Sequence, residues 1–266
     1  MKDILHFSHA NGFPAGCYNT LFSYLDDDFT IGTIDRLGHH VDYPVTNNWS
    51  HLARQLIDHL EISYQQPVYA VGHSLGGVLS MMVAAQRPDL IKGLIMLDAP
   101  FLTRFESKGL TWVKRLGLID KVTPAGRTLG RQENWNSKAE ASEYFRGKKL
   151  FRAFDERCLN DYIAHGTVEA FGGHRTLHFN ADTEINIYRT IPDNLHKTPR
   201  LEMPAAVFAG KYSDVFKRQH SFKMKRQLGM AVEWVEGSHM FPLEQPKQTA
   251  ELIKQHLKQW KNMECR

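Results

Sequence analysis

A chain of 266 residues, 42% of them hydrophobic, can bury a sizeable core and fits one large α/β domain as readily as two small ones. Its 33 basic and 29 acidic side chains give a formal charge of +4 and are spread along the whole chain, which argues against an obligate nucleic-acid partner. Cys17, Cys158 and Cys265 are odd in number and far apart, indicating neither a disulfide framework nor a zinc knuckle, and no apolar run is long enough for a secretory leader or a membrane span, so a cytoplasmic protein is expected.

In chain order, short apolar runs at residues 4–8, 30–35, 68–72, 93–98, 205–210 and 232–237 are bounded by turn residues, as expected of strands buried on both faces. Trp49, Leu52, Ala53, Leu56, Ile57 and Leu60 recur at helical spacing between the second and third runs, and Val78, Leu79, Met82, Val83 and Ala85 do so after the third. Strand alternating with helix implies right-handed crossovers and a mostly parallel sheet of about six strands. The rhythm stops at residues 101–203, which predicts an inserted, mainly helical cap in a core formed by residues 1–100 and 204–266. Within the insertion, Phe105, Trp112, Val113 and Leu116 mark the apolar side of one helix, and Phe145, Leu150, Phe151 and Phe154 that of another. A C-terminal amphipathic helix carries Leu252, Ile253, Leu257 and Trp260.

The third strand run leads into "GHSLGG" (72–77), a serine between glycines where a strand gives way to a helix. This is the context in which a G-x-S-x-G elbow lifts a nucleophilic serine above a sheet edge. A serine hydroxyl needs a base, a group to orient that base, and donors for the developing oxyanion. His239, in "GSHMFP" after the last strand run, can supply the base. Asp214, in "AGKYSDVF" after the preceding run, is the preferred acid because it completes the chain order Ser, Asp, His with each residue at a strand end. Asp98, ending "LIMLD", is its rival. Taken singly, each has a plainer role: a turn serine, a surface histidine, a helix-capping aspartate.

Together with "SHANGFPAG" (8–16), these residues resemble the α/β-hydrolase fold serine hydrolases over nearly the full chain. That resemblance implies an oxyanion hole built from the backbone amides of Phe13 and Leu75, a cap over the serine, and no need for a metal or other cofactor. "DRLGHH" (35–40) departs from the family's usual D-x-R-G-H-G segment at Leu37 and His40, and the one or two leading antiparallel strands common in the family are expected to be absent before "ILHFS". The activity implied is cleavage of a small or medium carboxylic ester through Ser74, His239 and Asp214. A thioesterase, another acyl hydrolase or an acyltransferase would use the same parts, and a hydrolase-like binding protein without turnover is the alternative of a different class. The cationic run 216–227, "FKRQHSFKMKRQ", reads as a solvated helix face or as a docking surface for an anionic acyl-thioester carrier.

Overall fold

The computed structural model describes residues 2–264. Six strands form one wholly parallel sheet: β1 (Asp3–Ser8), β2 (Phe29–Thr33), β3 (Val68–His73), β4 (Ile91–Leu97), and two strands after a long excursion, β8 (Ala205–Gly210) and β9 (Ala231–Val235), in the order β2-β1-β3-β4-β8-β9. The period-2 geometry of a strand explains why whole apolar runs form them. Val68 and Ala70 of β3 and Leu94 and Met96 of β4 enter one core, while Tyr69, Val71, Ile95 and Leu97 enter the core on the opposite face. Helices Ser50–Ser63 and Leu75–Gln86 cover the first face, and the C-terminal helix Pro246–Glu264 packs its Ile253, Leu257 and Trp260 on the second.

This order places the functional end of the molecule. The chain runs from β1 outward to β2 and then returns to β3 on the other side of β1, so the loops leaving β1 and β3 diverge. A crevice opens at such a switch point, at the carboxyl ends of the strands. Ser74 and the loop 9–14 lie there.

Between β4 and β8 lie helices Arg104–Arg115, Lys138–Gly147, Glu156–His165 and Ala181–Arg189, with several shorter turns. They are joined by an unexpected antiparallel sheet in the order β5-β7-β6, made of β5 (Asn134–Trp135), β6 (Thr167–Glu169) and β7 (Arg175–Leu177). Strands of two or three residues are too short for any periodic signal. The insertion does not stand apart from the core: Trp135, Phe145, Phe151 and Tyr162 share one apolar cluster with Phe7, Phe13 and Tyr18. Helix Arg104–Arg115 is turned the other way from expectation. It buries Ser107, whereas Phe105 is 87% exposed, and Trp112 and Leu116 also face solvent. Among the described residues no helix is long and apolar enough to cross a membrane. Cys17 and Cys158 are buried free thiols, and Cys265 lies outside the described residues.

The glycines around the crevice leave no room for a side chain. A Cβ on Gly76 would stand 2.0 Å from the Ser8 carbonyl oxygen, and one on Gly72 would stand 2.4 Å from the Gly76 backbone. Neither neighbour can rotate away, because both are main chain. Gly76→Ala is therefore expected to destabilise the protein by at least about 1–3 kcal/mol in urea denaturation. Gly109→Ala, on an open helix face with nothing within 4 Å, is expected to stabilise it by about 0.5–1 kcal/mol. Equal effects at the two positions would contradict this packing.

Candidate active site

Ser74 sits at the tip of the β3-to-helix turn with φ 52° and ψ −113°, a left-handed backbone costing about 1–3 kcal/mol for a residue with a side chain. The surroundings hold it there: its N–H donates to the Leu97 carbonyl (3.0 Å), its carbonyl accepts from Val78 (3.1 Å), and the Gly76 N–H donates to the His9 carbonyl (3.1 Å). Ser74 is partly exposed and its hydroxyl makes no hydrogen bond with any described residue.

His239 lies in the loop after β9 with its side chain 20% exposed. Its Nδ1 lies 2.6 Å from Oδ2 of Asp98, and this corrects the expected pairing. Asp98, directly after β4, is fully buried with φ 44°. Its Oδ1 accepts the Gly210 N–H (2.8 Å), and its Oδ2 accepts the Ser213 hydroxyl (2.5 Å) and the imidazole. Asp214 is exposed and bonds to none of these groups. The motif around Asp214 does contribute to the pair, through the hydroxyl of its neighbour Ser213. The physical difference is burial: a carboxylate shielded from water and held by three donors orients an imidazole, whereas a solvated one is screened.

His73, immediately before the serine, is buried and joins three segments. Tyr18 donates its O–H to His73 Nδ1 (2.7 Å) while accepting the Ala10 N–H (3.2 Å), and His73 Nε2–H donates to the His239 carbonyl (2.9 Å). The loop after β1, the elbow and the histidine loop are thereby tied by one chain of hydrogen bonds. His9 does similar work behind that loop: its Nδ1–H donates to the Ala10 carbonyl and its Nε2 accepts the Leu37 N–H, each at 2.8 Å. The other early histidines are dispersed rather than gathered in a pocket lining. His6 is buried against His59 and Tyr64, His39 packs edge-on to Phe179, and His40 is exposed.

The loop after β1 engages the amide of one expected oxyanion donor. The Phe13 N–H is already used, donating to the Ala10 carbonyl at 3.1 Å to close a turn, and the Phe13 ring packs on Tyr162 with centroids 5.0 Å apart. The amide of Asn11, two residues earlier, has no acceptor among the described residues. The Leu75 N–H, the first of its helix, is likewise unpaired, as the leading amides of a helix are. The insertion grips this loop: Asn11 Nδ2–H donates to the Glu184 carbonyl (3.0 Å), and the Glu184 carboxylate, paired with Arg131 at 2.7 Å, lies 3.0 Å from where a Cβ on Gly12 would be.

A sequence model of the alpha/beta hydrolase family matches residues 7–252. Over 138 residues the chain is 28% identical to monoglyceride lipase of Mus musculus, covering 49% of this chain and 45% of the lipase. Over 174 residues it is 25% identical to a type I acyl-CoA thioesterase of Penicillium brevicompactum, covering 59% of this chain and 38% of that protein. Each match thus spans less than half the length of the relative. The crystal structure of E-2-(acetamidomethylene)succinate hydrolase shares the fold, with a TM-score of 0.75 at 20% identity over 97% of this chain and 91% of that one.

The buried histidines make stability depend on pH. Burial pushes His6 down to about 3 and His9 down to about 4, and lowers His73 well below its usual value. All three folded values lie below the ordinary histidine value of about 6.5, so below that pH the unfolded chain binds more protons than the folded one. Their contribution is fully present above about pH 6.5 and is lost progressively as pH falls from there through the folded values of about 4 and 3. Urea denaturation is expected to show a loss of roughly 2–4 kcal/mol between pH 6 and 5, about 1.4 kcal/mol per histidine per pH unit at most. Stability that stays flat across this window would mean that these side chains are not held neutral.

Proposed function

The chain belongs to the alpha/beta hydrolase family, and we propose that it is a serine hydrolase cleaving a carboxylic ester of a small or medium substrate, with Ser74 as nucleophile, His239 as base and Asp98 as the acid that orients it. The observation that carries this reading is the 2.6 Å contact of His239 Nδ1 with the buried Asp98 carboxylate, beside an elbow held in a strained conformation. With the Nδ1 proton committed to Asp98, His239 Nε2 keeps its lone pair for the Ser74 proton.

In the first half-reaction Nε2 takes the hydroxyl proton as Oγ attacks the ester carbonyl. The Leu75 and Asn11 amides, both without other acceptors, donate to the oxyanion of the tetrahedral intermediate. The protonated imidazole then gives its proton to the departing alkoxide, the carbon–oxygen bond breaks, and an acyl-serine remains. Water, deprotonated by the same Nε2, attacks the acyl carbon; collapse of the second intermediate releases the acid and returns the proton to Ser74. Residues 101–203 act as the cap, and the Phe13, Phe151 and Tyr162 rings, packed within one aromatic cluster, supply an apolar boundary beside the oxyanion loop. That the matched lipase and thioesterase are named for an ester and an acyl thioester supports acyl transfer to water as the reaction class.

A fluorophosphonate probe is expected to label Ser74, identified by peptide mass spectrometry, and to fail with Ser74→Ala and His239→Ala. Asp98→Asn should lower kcat on a short-chain aryl ester by roughly 10³–10⁴-fold, while Asp214→Asn should stay within about twofold of the parent. Reversal of the two aspartate variants would reject the assignment. No labelling of folded protein would reject catalysis altogether.

A further inference from the structure

A second feature lies where the insertion joins the core. The chain leaves β4 through Phe101 and Arg104 and returns toward β8 through His196 and Lys197. Between these crossings, closed on a third side by Lys223 and Gln227, is a cavity of about 400 Å³. This lies within the roughly 300–1,000 Å³ range of small-molecule pockets.

Its charge is one-sided. No carboxylate lines it. Arg104, Lys197 and Lys223 are exposed and form no ion pair with any described residue. The acidic groups of the neighbouring segments are already engaged. Glu106 accepts from the Thr103 amide (2.9 Å) and from Gln219 (2.5 Å) and lies 3.1 Å from His220, and Asp193 pairs with Lys114 (3.3 Å). His196 sits in the resulting field. Its Nδ1 is buried without a well-formed hydrogen bond among the described residues, and burial followed by the Lys197 and Arg104 charges lowers its pKa against the opposing pull of Asp193. Gln227, which donates to the His196 and Thr198 carbonyls (2.9 and 2.8 Å), ties the return crossing to the cationic segment after β8. Three unpaired cations held around one concavity repel one another until an anion with several oxygens is shared among them.

We propose that this cavity is a binding site for a phosphate or diphosphate group. Its position suits the phosphorylated carrier of an acyl substrate: Phe101 lies three residues beyond Asp98, so a ligand seated on the two crossings borders the loop that holds the acid. Free inorganic phosphate or pyrophosphate would meet the same cations. The binding claim stands apart from hydrolysis, whereas identifying the ligand as part of the substrate rests on the serine hydrolase reading.

Pyrophosphate binding to the full chain should be followed by isothermal calorimetry at fixed ionic strength, with chloride as the control anion and the double variant Arg104→Gln, Lys197→Gln for comparison. Saturable binding weakened about tenfold or more in the variant is expected, together with an upward shift of the His196 pKa in NMR titration when pyrophosphate is present. Absence of saturable binding, or equal binding by the variant, overturns the proposal. Turnover of an uncharged aryl ester should be the same in both proteins, which separates failure of this site from failure of the triad. The source of the anion follows from KM. A KM for an acyl-CoA that rises about tenfold in the variant, with the KM for the matching acyl N-acetylcysteamine thioester unchanged, places the phosphate on the substrate. Unchanged KM for both, with pyrophosphate binding lost, makes the ligand a free anion.

Discussion

A buried carboxylate at the end of β4 sets the geometry of this molecule's functional end. Asp98 is fully shielded from water, and an unpaired charge in that position would cost several kcal/mol. Its three donors come from the end of β8, from the turn after it and from the loop after β9. The carboxylate can be satisfied only when these segments close over β4. The Asp98 N–H also donates to the Phe208 carbonyl (2.8 Å), so the same residue fastens β4 to β8 through its backbone. Folding of the second half of the sheet and orientation of the imidazole are therefore one event.

The strands were legible because parallel strands covered on both faces must be written as continuous apolar runs, and β1, β3, β4 and β8 are nearly wholly buried. The elbow around Ser74 was legible for a different reason: glycines at 72 and 76 have no alternative where backbone approaches backbone this closely. The aspartate that pairs with His239 was not, because an aspartate at one strand end resembles an aspartate at another until burial is known. One signal did favour Asp98. It ends a run of buried residues and is followed by Ala99, which is also buried, whereas the segment around Asp214 contains Lys211 and Tyr212 and is largely solvated. The resemblance also could not show that the turn from Ala10 to Phe13 engages the Phe13 amide.

The insertion was legible only as an interruption. Its small sheet rests on strands of two and three residues, and its first helix has an apolar stripe that a periodicity argument directs inward. The stripe faces out, and Ser107, on the other side, is the buried residue of this helix. The second aromatic group behaves only partly as expected: Phe145 and Phe151 are buried, and their rings gather around Tyr162 against the Phe13 ring of the loop after β1, but helix Lys138–Gly147 ends before Leu150, which is 49% exposed.

That contact bears on how the site is organised. The loop after β1 is held from below by His9 and the His73–Tyr18 pair, all kept neutral by burial, and from above by Asn11 on the Glu184 carbonyl and by the Glu184–Arg131 pair beside Gly12. Neutral imidazoles beneath the loop matter electrostatically: a protonated histidine there would have to be buried without a counter-ion, while a neutral one fixes a hydrogen bond and adds no charge. The loop's amide direction is thus set jointly by core and insertion. The insertion is thus tied to the loop after β1, and any displacement of helix Ala181–Arg189 must pull on Asn11. In the serine hydrolase proposed above, the placement of the insertion and the direction of the loop's amides would be coupled through these contacts.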